Sequence, residues 1–224
     1  MLCVKLVNDK TVSYLPVKNL IAHKRTQFQE VIICDLDLYG KTLIMDDELQ
    51  SCYIDKEVYH EALIHQFYKP KPKDKMLIIG AGEGVSIDIA LRRGWKNIDA
   101  VDIDHQAIEL INKHLSDWNN HIYKRQDEYN LIFDDALKVL KRTDSEYYDY
   151  VIFDLTSKAI NENKDEWIAE IHRVLKHNGA LSAQDGSKYY QSYLYDTVNS
   201  HFENAENTHL KTMLDWRYLH VAKK

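Results

Sequence analysis

The chain has 224 residues and a formal net charge of -6, with 29 Lys and Arg against 35 Asp and Glu. This length allows one large core, or one domain with a small second unit. No block of like charge stands out, which argues against a nucleic-acid binder that relies on a basic face. No apolar run approaches the length of a membrane-spanning helix. We therefore expect neither a nucleic-acid partner nor a membrane partner.

The three cysteines, Cys3, Cys34 and Cys52, lie in the first quarter of the chain without the spacing of a metal site. The N-terminus becomes charged at Lys5, too soon for a secretory signal peptide. An odd number of cysteines without such a signal indicates free thiols in a reducing compartment. We expect a cytoplasmic protein that binds no metal.

Residues 1–68 carry strand and hairpin signals. Segments 26–34 and 42–45 are rich in apolar and β-branched residues, and a turn ending at Gly40 separates them. Apolar residues then recur at helical spacing from Asp55 to Phe67. We predict a small antiparallel β domain with a linking helix over residues 1–68.

A charged segment with two prolines, Lys69 to Lys75, has the composition of a linker. After it, strand signals alternate with helix signals. The predicted strands are 76–79, 98–101, 130–133, 150–153 and 180–183, the predicted helices are 85–93, 106–115, 136–141, 165–175 and 189–202, and residues 209–222 supply the last strands as a hairpin. Such alternation predicts an α/β domain over residues 76–224, a Rossmann-like, methyltransferase-type and mostly parallel sheet covered on both faces.

Ligands of such sheets bind beyond the carboxyl ends of the strands. Four successive strand ends of this domain carry acidic residues. They are Glu83 in the turn Gly80–Gly84, Asp102 with Asp104, Asp134 with Asp135, and Asp154. Because unpaired acids gathered at one edge repel one another, we expect a cationic ligand there.

Several of these residues also have a purely structural interpretation. The glycines could serve backbone geometry alone. Asp102 has the spacing of a ribose-binding carboxylate, 22 residues after Gly80, and the alternative role of helix N-cap suits Asp104 better. Asp135 could likewise be only an N-cap. Asp154 follows an apolar strand, where a carboxylate needs a partner and is typical of functional sites.

Five segments together resemble those of the polyamine aminopropyltransferases, of which spermidine synthase is a familiar member. They are residues 27–31 (Gln-Phe-Gln-Glu-Val), 39–46 (Tyr-Gly-Lys-Thr-Leu-Ile-Met-Asp), 50–61 (Gln-Ser-Cys-Tyr-Ile-Asp-Lys-Glu-Val-Tyr-His-Glu), 79–84 (Ile-Gly-Ala-Gly-Glu-Gly) and 181–187 (Leu-Ser-Ala-Gln-Asp-Gly-Ser). At two positions the type of acid, Glu at Glu83 and Asp at Asp102, looks more like that of the thermospermine synthases than that of the spermidine synthases. Ordinary methyltransferases share the glycine loop but lack the paired N-terminal motifs.

The resemblance implies an enzyme that moves an aminopropyl group from decarboxylated S-adenosylmethionine to a di- or polyamine and releases 5′-methylthioadenosine. This donor is a co-substrate, and no further cofactor is implied. The family commonly forms oligomers, so a homodimer or homotetramer is expected. Two alternatives stay open: a methyltransferase that uses intact S-adenosylmethionine, and a non-catalytic homologue with an altered acceptor site.

The resemblance also assigns roles to individual residues. Glu83 is implied to hold the donor's amine, Asp102 the ribose and Asp135 the adenine amino group. Asp154 is implied to orient and deprotonate the attacking amine, with Tyr59 beside it. The implied donor-binding set is Gln29, His60, Gly80, Gly82, Glu83, Asp102, Ile103 and Asp135; the acceptor-binding set is Tyr59, Asp154 and Ser157.

The acceptor side departs from the family pattern. Ser157 stands where the family has a second acid that grips the acceptor's distal amine, and Lys158 replaces a proline. Glu162, Asp165 or Glu166 could substitute for that acid, although acids at a helix start are more often simply favourable to the helix dipole. The sequence therefore leaves acceptor recognition open.

Overall fold

The computed structural model of the chain describes residues 2–8, 11–64, 68–187, 194–211 and 216–224. Parts of three predicted elements fall outside these ranges: the end of the helix predicted up to Phe67, the start of the helix predicted from Tyr189, and the middle of the C-terminal hairpin. The side chain of Ser157 also lies outside the described part.

The N-terminal part is a five-stranded antiparallel sheet whose strands follow one another in chain order. In the turn between the last two of these strands, Asp46 and Asp47 both have positive φ, as a two-residue hairpin turn of the favoured hand requires. The strands are β1 (Cys3–Asn8), β2 (Thr11–Arg25), β3 (Glu30–Leu36), β4 (Gly40–Met45) and β5 (Glu48–Cys52). The predicted antiparallel unit is confirmed, and the long, largely exposed β2 was not anticipated because its polar residues give no apolar run.

The C-terminal part is a seven-stranded sheet. Its strands are β6 (Lys75–Ile79), β7 (Asn97–Asp102), β8 (Asn130–Phe133), β9 (Tyr148–Phe153), β10 (Leu175–Ser187), β11 (Glu203–Lys211) and β12 (Trp216–Lys223). They lie in the order β11-β12-β10-β9-β6-β7-β8. Strands β10, β9, β6, β7 and β8 pair in parallel, and β12 and β11 add an antiparallel hairpin at one edge. The predicted Rossmann-like, mostly parallel sheet is confirmed.

Helices connect these strands. They are α1 (Lys56–Leu63), α2 (Val85–Arg92), α3 (His105–His114), α4 (Ala136–Arg142), α5 (Ser157–Glu162), α6 (Lys164–Val174) and α7 (Tyr195–His201). Helix α5 was not predicted, since the residues after Asp154 were interpreted as a loop. No described helix is both long and apolar enough to cross a bilayer.

One buried cluster joins the two sheets. It contains Val31, Ile33 and Leu43 of the N-terminal sheet together with Met76 and Ile78 of β6. The strand order reverses at β6: β7 and β8 lie on one side of it, whereas β9 and β10 lie on the other. The cleft for a ligand in such sheets opens at this point, beyond the carboxyl ends of the central strands.

Candidate active site

A cavity of about 1030 Å³ lies between the N-terminal sheet and the carboxyl ends of β6, β7 and β9. Its acidic lining residues outnumber its basic ones. The acids are Asp46, Glu48, Asp55, Glu83, Asp102, Asp154 and Glu162, and the bases are Arg25, Lys56 and His60. A cavity with this excess of carboxylates favours a cationic ligand.

The glycine turn after β6 forms one wall of the cavity. Gly80 has φ of +90°, and a Cβ atom there would lie 2.0 Å from the carbonyl oxygen of Asp154. Only glycine therefore allows β6 and β9 to end this close together. Both Gly80 and Gly82 line the cavity, as predicted from the sequence.

Asp102 lies at the end of β7, facing the turn. Its carboxylate accepts hydrogen bonds from the backbone N–H groups of Gly82, at 3.0 Å, and of Asp104, at 2.9 Å. Burial raises the pKa of the Asp102 carboxyl, and these two N–H donors oppose the shift. The exposed side chain of Ile103 lines the cavity beside it.

Asp104 has a structural role that connects the two sheets. It caps α3 by accepting from the N–H of Ala107, as predicted. It also accepts from Thr26 Oγ1, at 2.6 Å, and from Gln29 Nε2, at 3.0 Å. Gln29 thus lines the cavity with its amide held by the buried carboxylate of Asp104, at the start of α3.

Consecutive residues of α1 reach two different carboxylates. The Tyr59 hydroxyl donates to Asp154 Oδ1 at 2.7 Å, and His60 Nε2 lies 3.5 Å from Glu83 Oε1. His60 Nδ1 lies 2.5 Å from the carbonyl oxygen of Lys56, so Nδ1 carries the proton and Nε2 faces the carboxylate. Helix α1 therefore brings Tyr59 and His60 to the acids of the β9 end and the β6 turn.

The acids after β8 are placed differently. Asp135 caps α4 by accepting from the N–H of Leu137 at 2.9 Å, and Asp134 pairs with Arg142 at 2.6 Å. Neither is among the residues that line this cavity. Both carboxylates have local partners instead. The expectation that the acids of all four strand ends share one ligand stays a prediction for this strand. The adenine-binding role of Asp135 stays a prediction.

Two further residues line the cavity: Gln184, which the sequence analysis did not select, and Glu162, which it named only as one of three possible substitutes for an acid at Ser157. Gln184 of β10 is only 5% exposed, and its Oε1 atom has no hydrogen-bond partner among the described residues. Glu162 lines the cavity from α5, whereas Asp165 accepts from Thr197 and Glu166 pairs with Lys141. The sequence signal for Gln184 was a polar residue within an apolar strand. Glu162 could not be assigned to the cavity because helix α5, which directs its side chain there, was not predicted.

Within the described ranges, no group of three or more His, Cys, Asp or Glu residues could hold a metal ion. Two pairs of polar groups lie in the cavity instead: Tyr59 is hydrogen-bonded to Asp154, and His60 lies 3.5 Å from Glu83. Such pairs suit binding and proton transfer on an organic cation.

Comparison with known proteins gives relatives in both sequence and structure. Polyamine aminopropyltransferases of Pyrobaculum calidifontis and Saccharolobus solfataricus are 32% and 30% identical to this chain over 87% and 81% of its length. The aligned regions cover 70% and 62% of those relatives. A crystal structure of spermidine synthase in complex with the transition-state analogue AdoDATO superposes with a TM-score of 0.87, covering 100% of this chain and 80% of that one at 18% identity, which supports the fold.

The family model for the spermine/spermidine synthase domain matches residues 56–214, well over half of the chain. This range begins at α1, with Tyr59 and His60, and includes the glycine turn, Asp102, Asp154 and Gln184. The chain therefore belongs to the spermine/spermidine synthase family.

Proposed function

We propose that this protein is a polyamine aminopropyltransferase, which moves an aminopropyl group from decarboxylated S-adenosylmethionine to a di- or polyamine. The observation that carries the proposal is the placement of Tyr59–Asp154 and His60–Glu83, two neighbouring pairs, on one acid-lined cavity. The names of the relatives support the same activity.

The donor would bind at the ends of β6 and β7. Asp102 would accept hydrogen bonds from the ribose hydroxyls, and the backbone N–H groups of Gly82 and Asp104 hold its carboxylate in place. Glu83 offers a carboxylate, 8% exposed, to the protonated amine of the donor's propyl tail. Both the sulfonium and this amine are cationic, and each is stabilised by nearby carboxylates.

The acceptor amine would bind beside Asp154. Its nitrogen attacks the propyl carbon next to sulfur, a C–N bond forms, and the C–S bond breaks with its electron pair passing to sulfur. The products are the lengthened amine and 5′-methylthioadenosine. Asp154 takes the proton that the attacking nitrogen loses, and Tyr59 fixes the orientation of that carboxylate through their hydrogen bond.

The distal end of the acceptor would lie toward α5. Of the three acids considered as substitutes at Ser157, Glu162 is the one that lines the cavity. Gln184 adds a buried acceptor atom without a partner in the described structure, which an N–H group of the amine would satisfy. We therefore assign Glu162 and Gln184 to acceptor binding.

Purified protein incubated with decarboxylated S-adenosylmethionine and a panel of diamines and triamines tests the activity. We expect release of 5′-methylthioadenosine with at least one amine. Absence of release across the panel would contradict the proposal.

Calorimetry separates the alternatives. Preference for intact S-adenosylmethionine over its decarboxylated form would favour a methyltransferase. For a non-catalytic homologue, the wild type would bind donor without turnover. The Asp154→Asn variant should bind donor normally and lose turnover, as expected for a group that acts on the acceptor.

We further propose that the enzyme works in the cytoplasm as a homodimer or homotetramer, without a metal. The family resemblance supports the assembly, and the buried thiols of Cys34 and Cys52 are compatible with a reducing compartment. Sedimentation velocity at several protein concentrations tests the oligomeric state.

A further inference from the structure

The glycine turn after β6 is held from behind by residues 119–125. The Tyr123 hydroxyl donates to the carbonyl oxygen of Gly82 at 2.6 Å, and Asn119 Nδ2 donates to the carbonyl oxygen of Glu83 at 2.6 Å. Both side chains are buried, with exposures of 5% and 0%. Burial raises the pKa of Tyr123 well above its ordinary value, so its hydroxyl remains a neutral donor.

These two hydrogen bonds flank a single residue. The carbonyl of Gly82 belongs to the peptide group before Glu83, and the carbonyl of Glu83 belongs to the peptide group after it. Fixing both peptide planes fixes φ and ψ of Glu83, because these are its two soft backbone dihedrals. The direction in which the Glu83 side chain leaves the turn is then set from outside the cavity.

Packing brings the same segment against the turn. A Cβ atom on Gly84 would lie 2.6 Å from Ile122 Cγ2 and 3.2 Å from Asn119 Nδ2, so only glycine leaves room for this contact. The N–H of Ile122 donates to Asn119 Oδ1 at 3.2 Å, which fixes the orientation of the amide.

The segment is also anchored to α2, the helix that starts at the turn. The buried Asp88 carboxylate accepts from Asn120 Nδ2 at 2.8 Å and from Arg125 at 3.3 Å, and it also pairs with Arg92 at 3.0 Å. The turn, its helix and the segment behind it therefore hold one another in place.

We propose that Asn119 and Tyr123 are positioning residues that aim the Glu83 carboxylate at the amine of the donor's tail. The identity of that amine rests on the proposed function. The two residues would touch neither donor nor acceptor, and they would act through the backbone of Glu83. Loss of either residue should therefore weaken the binding of a ligand that carries the amine more than the binding of a ligand that lacks it.

The test compares binding of decarboxylated S-adenosylmethionine and of 5′-methylthioadenosine, which lacks the amine. Tyr123→Phe keeps the packing and removes one hydrogen bond. We expect it to weaken binding of the donor about fivefold and binding of methylthioadenosine less than about twofold. Calorimetry measures both without requiring turnover.

Tyr129→Phe is the matched control. The Tyr129 hydroxyl is buried and donates to the carbonyl oxygen of Ile122 at 3.3 Å, so it contacts residues 119–125 without bonding to a carbonyl of the glycine turn. We expect this variant to bind both ligands like the wild type. Equal losses in the two variants, or equal losses for the two ligands, would overturn the proposal.

A double-mutant cycle with Glu83→Gln shows whether Tyr123 acts through Glu83. In the Glu83→Gln background, Tyr123→Phe should cost no further donor affinity, whereas additive losses would refute the proposal. Asn119→Ser should behave like Tyr123→Phe and supplies the same comparison if one variant folds poorly. A wild type that binds donor but transfers no aminopropyl group would contradict the proposed function and leave this binding comparison valid.

Discussion

Gly80 occupies the closest approach between β6 and β9. Gly80→Ala would place its Cβ 2.0 Å from the Asp154 carbonyl oxygen, against backbone that cannot move without separating the strands. We expect a loss of roughly 3 kcal/mol in the free energy of unfolding, measured by urea denaturation, together with loss of turnover.

Gly94→Ala is the control for this change. Gly94 also has positive φ, +93°, but a Cβ there meets no atom within 4 Å among the described residues. We expect a loss of only about 1 kcal/mol, from backbone strain alone. Similar losses at both glycines would show that the close approach at Asp154 does not matter.

The Tyr59 hydroxyl donates a hydrogen bond to Asp154 Oδ1 at 2.7 Å and so holds the orientation of the carboxylate. Tyr59→Phe should lower kcat about tenfold with little change in donor affinity, because a hydrogen bond to a charged group is lost at the acceptor side only. Tyr68→Phe removes a similar bond, from Tyr68 to Asp74 at 3.0 Å outside the cavity, and should leave kcat unchanged. A decrease in kcat in both variants would contradict a specific role for Tyr59.

At the scale of elements, α5 decides which acid reaches the cavity. Thr156, Ala159 and Glu162 line the cavity at intervals of three residues, the spacing of one helix face. Glu162→Gln should raise KM for a triamine about threefold, a modest effect because the side chain is exposed and its charge is screened.

Glu166→Gln is the corresponding control on α6. Its carboxylate pairs with Lys141 at 2.6 Å and does not line the cavity, so KM should stay at the wild-type value. Steady-state kinetics with the amine varied and donor saturating measures both variants. An unchanged KM in Glu162→Gln would remove Glu162 from the acceptor site.

The position of β8 in the sheet explains why the acids that follow it do not line the cavity, whereas acids after β6, β7 and β9 do. β6, β7 and β9 are adjacent at the centre of the sheet, whereas β8 is its edge strand. The two acids after this edge strand bind local partners and do not line the cavity: Asp134 pairs with Arg142, and Asp135 caps α4. The sequence pattern is the same at all four strands, and only the strand order separates them.

At the scale of the whole molecule, the shared cluster predicts that both sheets unfold together. All four tryptophans lie after residue 76 and all three cysteines before residue 68, so fluorescence and thiol reactivity report separately on the two parts. Burial raises the pKa of Cys34 to about 11 and of Cys52 to about 12. A raised pKa lowers the thiolate fraction at neutral pH, so only exposed Cys3 should react in the native protein.

A Cys3→Ser variant isolates the two buried thiols. We expect their reaction with a thiol reagent to begin at the same denaturant concentration as the change in tryptophan fluorescence. Thiol exposure at a clearly lower concentration would show that the N-terminal sheet unfolds independently. The predicted division into domains 1–68 and 76–224 would then describe two folding units.

The sequence by itself determined the fold class, the family and several of the strand-end residues that line the cavity. Those signals are local: apolar strands, a glycine turn and acids directly after strands 76–79, 98–101 and 150–153, each with a fixed spacing. The motif containing Tyr59 and His60 identified the family for the same reason.

Only the tertiary structure decided which of these residues meet. Tyr59 and Asp154 are 95 positions apart, and their hydrogen bond depends on how α1 packs over the sheet. Glu162, Gln184 and the support of Glu83 by Asn119 and Tyr123 became visible in the same way. Such contacts depend on strand order and helix direction, which a local pattern does not specify, because long-range packing sets them.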